Sequence, residues 1–111
     1  MCPCSARCWA SVARLHAYDI ADELDATTPA DYVARAEMRA RFGYAAQQVL
    51  EALNILINVH GAAGFAETGR LPQFWRDANT AARHAALNSV VGYEIYGKAL
   101  LDVEERISPM V

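Results

Sequence analysis

Between Val49 and Val59 the chain carries Val49, Leu50, Leu53, Ile55, Leu56, Ile57 and Val59, apolar side chains on nearly every side of a helix. Such a helix is stable in water only when neighbours cover it all round. The stretch ends a longer helix that the sequence predicts from about Pro29 to Val59. Thr28 is placed to cap it, Pro29 to fill its first position, and Asp31 to act as a capping-box acid. Its first half is amphipathic, with Arg35, Glu37, Arg39 and Arg41 available to solvent. The steps Phe42, Ala46, Val49, Leu53 and Leu56 follow the three-four spacing of bundle packing.

Two other helices are expected around it. The first runs from about Ala6 to Leu24, with Trp9, Val12, Ala13, His16, Ile20 and Leu24 on one face. The last runs from Leu71 or Pro72 to about Leu101, rich in alanine early and carrying Val91, Ile95, Ala99 and Leu100 later. Gly61 and Gly64 end the middle helix. No strand alternation or hairpin dipeptide interrupts the pattern. The expected fold is all-α, an up-down bundle of three long helices that lacks a fourth. Residues 1–5 read as a disordered start, 6–104 as the domain, and 105–111 as a tail. Three helices cannot cover a middle one that is apolar all round, so self-association or missing chain should complete the bundle.

With 111 residues the chain is one domain. Charged residues make up 21% and the net charge is −3, with both signs interspersed. No basic face marks a nucleic-acid partner. No secretory leader and no membrane-length apolar run is visible, so the expected location is cytoplasmic. Cys2, Cys4 and Cys8 crowd the first residues, and His16 is the nearest further metal-ligand type. That spacing suits no metal site, and reduced thiols are expected.

The candidates for chemistry lie between Asn58 and His84. His84 shares a helical face with Asp77, Asn88 and Val91, but seven residues of helix put Asp77 roughly 10 Å away. By itself a lone helical histidine reads as a packing residue. Arg76 and Asp77 read as an ion pair that fixes helix orientation, and Phe74 and Trp75 as bundle core. Gly61-Ala62-Ala63-Gly64 serves a chain reversal, or a phosphate approached closely by backbone.

Taken in order, these residues resemble the C-terminal helical domain of the acyl-CoA dehydrogenase superfamily, over about residues 10–102. That family has a glutamine, two residues, a Gly-Gly-x-Gly-aromatic turn, a link, and aromatic-Arg-Asp opening a helix. Here Asn58 stands at the glutamine, Gly61, Ala62, Gly64 and Phe65 in the turn, and Trp75, Arg76 and Asp77 at the last element. Dehydrogenases usually continue to a Glu-Gly pair, where this chain has Arg83-His84-Ala85-Ala86. In this it is similar to the flavin-dependent monooxygenase branch, the oxygenase halves of two-component systems fed by a flavin reductase.

The resemblance implies a reduced flavin, FMN or FAD, with oxygen transfer through a C4a-hydroperoxide to a small aromatic or similar substrate. It implies His84 as the catalytic histidine and Asn58, Gly61, Ala62 and Gly64 as flavin neighbours, often across a subunit boundary of a homo-oligomer. The chain departs from the branch at Asn58, at Ala62, and at Pro72-Gln73, where relatives usually have Gln-Arg. Relatives also carry two upstream domains, so the chain is expected to be a C-terminal fragment, inactive alone, whose Met-Cys-Pro-Cys start marks a cut reading frame. A free-standing helical interaction module without flavin is the alternative, and an acyl-CoA dehydrogenase fragment the third reading.

Overall fold

A computed structural model of the protein describes residues 2–65, 69–104 and 106–107. It is all-helical, as the sequence leads one to expect, and contains no strand among the described residues. Helix α1 spans Pro3–Leu24, α2 Tyr32–His60, α3 Arg70–Ala81 and α4 Ser89–Leu100, with a 3-10 segment at Gly61–Phe65. Residues 105 and 108–111 of the expected tail lie outside the described residues.

The expected third long helix is therefore two. No glycine or proline breaks it at Ala82–Asn88; side chains do. At the end of α3, Asn79 Nδ2 donates to the Trp75 carbonyl and Thr80 Oγ1 to that of Arg76. Arg83 Nη1 then takes the Asn79 carbonyl at 2.7 Å. Of these carbonyls only that of Asn79 is one a continuing helix would give to the Arg83 N–H, which bonds the Thr80 carbonyl at 3.2 Å instead. Asn88 restarts the helix, its Oδ1 accepting the N–H groups of Val90 and Val91.

Other boundaries shift for similar reasons. Asp31, not Thr28, caps α2: its Oδ1 accepts the Ala34 N–H at 2.8 Å, so the helix opens at Tyr32 and Pro29 lies outside it. Helix α1 opens at Pro3, a residue suited to a first turn. Cys2 and Cys4 are joined as a disulfide where reduced thiols were expected, because two residues at the helix start bring their sulfurs together; Cys8 is free and exposed.

Helix α2 is the only helix that touches all the others. Among the described residues α1 packs on α2 alone, α4 on α2 alone, and α3 on α2 and the 3-10 segment. The result is long and narrow, 49 × 26 × 23 Å. Ala6 of α1 packs with Ala52 and Ile55 of α2, and Ile20 is fully enclosed. On the other side Ala36 packs with Ile95 and Ala99 of α4. Arg41 is not free to solvent as expected: it binds Asp19, and Glu23 at 2.6 Å, tying the end of α1 to α2. Burial opposes its charge, but the bonds and attraction of Glu23 and Asp19 outweigh that and raise its pKa.

Helices α2 and α4 approach backbone to backbone. A Cβ on Gly43 would lie 2.6 Å from Ser89 Cα, and one on Gly92 would lie 3.0 Å from the Arg39 carbonyl oxygen. Gly43→Ala should therefore destabilise the protein by about 1–3 kcal/mol. Gly97→Ala, with nothing within 4 Å of its added methyl, should be neutral or stabilise by about 0.5–1 kcal/mol. Urea unfolding of the two variants checks this, and equal effects would deny the close crossing.

Candidate functional site

His84 does not lie on a helix. It sits exposed in the Ala82–Asn88 turn, and the face it was expected to share with Asp77, Asn88 and Val91 does not exist. The turn is nevertheless well held. The His84 N–H donates to Ala81 O at 3.0 Å, and its carbonyl accepts from Leu87 N at 2.9 Å and Asn88 N at 3.0 Å. Arg39 of α2 reaches across with Nη2 to the Ala85 carbonyl at 2.6 Å. A further link joins Gln47 Nε2 to Ser89 Oγ at 2.6 Å. The imidazole Nδ1 accepts the Ala86 N–H at 3.3 Å. In the neutral ring that places the proton on Nε2, the nitrogen left to meet other groups.

At the other end of α3, α2 closes on Gly61, which adopts φ 62 and donates its N–H to the Asn58 and Ile57 carbonyls. A positive φ of this kind favours glycine. Asn58, Gly61 and Ala62 are all exposed, and nothing stands within 4 Å of a Cβ at Gly61. Gly64 lies within the 3-10 segment. This end of α2 thus offers an uncrowded backbone and one exposed carboxamide, which suits an extended polar ligand lying across it.

Helix α3 holds the two places apart. It has 12 residues, roughly 18 Å of axis, so His84 and the Asn58–Gly64 segment cannot meet one small molecule's reacting atom within one copy of the chain. Trp75 fixes α3 to α2 by donating Nε1 to Asn54 Oδ1 at 2.8 Å and is half-buried. Phe74 was expected in the core but is 55% exposed. Arg76 and Asp77 are exposed, and neither forms an ion pair among the described residues. Helix α3 opens at Arg70, so Asp77 lies past its middle and not in the first turn, where an acid would favour the helix dipole.

Sequence reasoning passed over a polar cluster beside the turn. Tyr93 donates its hydroxyl to Gln47 Oε1 at 3.2 Å, and His16 meets Tyr44 edge to face at 5.3 Å. Burial, and then the nearby Tyr44, hold the Tyr93 pKa above its ordinary value. The signal was present as Tyr44 and Gln47 at helical spacing on α2, but nothing in it pointed to α4. The described residues include no group of three or more metal-ligand side chains, and none of their helices is long and apolar enough to cross a membrane.

If Arg39 holds the turn, Arg39→Met should speed hydrogen exchange at the Leu87 and Asn88 amides by about tenfold, the effect of roughly 1.4 kcal/mol. Exchange in α1 should not change. Unaltered exchange at the turn would assign its rigidity to local bonds alone.

This arrangement has known counterparts. The family model for the acyl-CoA dehydrogenase C-terminal domain matches residues 6–89. The solved structure of XiaF from Streptomyces sp., in complex with FADH2 and glycerol, superposes with a TM-score of 0.87 at 36% identity. The match covers 96% of this chain and 28% of the XiaF chain, so the protein spans little more than a quarter of that relative's length. No curated protein matches it. The family model covers most of the chain, and the chain belongs to the acyl-CoA dehydrogenase C-terminal domain family.

Proposed function

We propose that the chain forms one wall of a flavin-dependent monooxygenase of the acyl-CoA dehydrogenase type and contributes to two cofactor sites at once. The observation that carries this reading is the separation of His84 from the Asn58–Gly64 segment by the length of α3, with His84 and residues 58–63 exposed. A single flavin ring cannot be served by both in one copy. Two sites can, if each segment faces a different subunit or domain. The flavin complex of XiaF supports the cofactor class, and Ala85-Ala86, in place of a Glu-Gly pair, favours the monooxygenase over the dehydrogenase.

A reduced flavin, when bound, supplies the electrons that activate oxygen. The chain's own part is narrower. The Asn58 carboxamide offers a donor and an acceptor to the polar arm of the cofactor. Gly61 and Ala62 let that arm lie close to backbone. His84, oriented through its Nδ1, presents Nε2 to donate or accept a proton at the reacting centre of a small aromatic or similar substrate. Gln73 stands where relatives place an arginine, so no cation from that position assists. One wall leaves the reaction open to water, and the isolated chain should not turn over.

Calorimetric titration of the purified chain with oxidised and reduced FMN and FAD tests this. Saturable binding is expected, weakened at least about tenfold by Asn58→Ala or Gly61→Val, with a smaller effect from His84→Ala. A well-folded chain that binds neither flavin would refute the reading and leave a helical interaction module without flavin. Turnover by the isolated chain with reduced flavin and oxygen would refute the one-wall account.

A further inference from the structure

A cluster of nucleophilic side chains opens α1. Cys2, Cys4 and Cys8 are all exposed. Cys2 and Cys4 form a disulfide across a separation of two residues, and Cys8 keeps a free thiol. The three do not make a metal-ligand group, which leaves sulfur chemistry. A bridge that closes so short a loop constrains the unfolded chain little, so opening it costs the fold little.

Local structure makes the two bridged sulfurs unequal. Cys2 is the N-cap of α1, and its Sγ accepts the Cys4 N–H at 3.4 Å. Pro3, at the first helical position, has no N–H to offer, so that of Cys4 is the first donor of a 22-residue helix. A thiolate left on Cys2 gains this N–H and the positive end of the helix. Cys2 is therefore the better leaving group, and Cys4 the sulfur to attack. The Ser5 N–H and Oγ both donate to the Cys2 carbonyl, which holds the cap whether the bridge is open or closed.

Cys8 follows Cys4 by four residues, one turn along the same face. At that spacing the Cα atoms are roughly 6 Å apart, within the span that a disulfide bridges. Ala6, between them, is buried against Ala52 and Ile55, so this turn stays fixed while sulfur partners change. Charge selects the attacker. From Pro3 to Tyr18 the charged residues are Arg7 and Arg14. Arg7 is next to Cys8 and forms no ion pair among the described residues. A thiol that carries carboxylates is drawn to it.

We propose that the Cys2–Cys4 bridge is a thiol–disulfide exchange site for a small carboxylate-bearing thiol, with Cys4 as the attacked sulfur and Cys8 as the thiol that resolves the mixed disulfide. The incoming thiolate bonds Cys4 Sγ as the S–S bond breaks, and the electron pair leaves on Cys2, which takes a proton from water. Cys8 then gives its proton to water, bonds Cys4 Sγ and expels the small thiol as thiolate. The bridge moves from Cys2–Cys4 to Cys4–Cys8 with no net oxidation or reduction. The inference is independent of flavin binding.

Glutathione is the probe, and alkylation followed by peptide mapping in a mass spectrometer is the readout, on the full chain oxidised beforehand with glutathione disulfide. In Cys8→Ser, where resolution is blocked, glutathione should appear on Cys4 and the alkyl group on Cys2, at least about fivefold over the reverse. Arg7→Glu should slow this step about threefold or more at low salt, and the difference should vanish at high salt. In Cys2→Ser, a glutathione placed on Cys4 should be released as the Cys4–Cys8 bridge forms, at least about tenfold faster than in Cys2→Ser/Cys8→Ser. All four positions are exposed, and helical circular dichroism should be kept. Glutathione mainly on Cys2, an Arg7→Glu variant of unchanged rate, or equal lifetimes in the last two variants would overturn the inference. So would a wild-type chain that keeps three alkylatable thiols after glutathione disulfide.

Discussion

Every helix in this protein depends on α2. Helices α1 and α4 pack on it and on no other helix among the described residues, and α3 adds only the 3-10 segment. Cohesion therefore runs through one element of 29 residues. On one side the contact is built from Ala6, Ala52 and Ile55, with Arg41 bound to Asp19 and Glu23 at the far end. On another it is built from Ala36, Ile95 and Ala99, with glycines that let backbones touch. Few large side chains are fully enclosed, and Ile20 and Ile95 are the two that are. A domain of this size gains little margin from such contacts.

The same element sets where chemistry can occur. Its C-terminal end carries Asn58 and Gly61, and its middle, through Arg39 and Gln47, holds the turn that displays His84. Helix α3 acts as the spacer between them, anchored by Trp75 on Asn54. The arrangement suits a chain that meets its neighbours at both ends.

Much of this was legible in the sequence. The helical class followed from periodicity. The stripe Phe42-Ala46-Val49-Leu53-Leu56 was read as a packing surface; Leu56 packs against the α1–α2 core, while Phe42 and Val49 are partly exposed. The family followed from an ordered set of individually weak motifs, and the match over residues 6–89 shows it. The break at Ala82–Asn88 was not legible. Arg83-His84-Ala85-Ala86-Leu87 favours helix by propensity, and the stop comes from Arg83 on a carbonyl, Asn88 as a cap and Arg39 from another helix. Long-range partners of that kind leave no local pattern. For the same reason Arg39 and Arg41 looked like solvated charges, and Phe74 looked like core.

Native-state hydrogen exchange across the whole chain, followed through low denaturant, tests most directly the claim that α2 alone holds the molecule together. The account predicts that the central amides of α2 exchange only by global unfolding. It predicts that α1, α3 and α4 open separately, each at lower free energy. A single cooperative opening shared by all four helices would contradict it, because contacts between the outer helices would then be required.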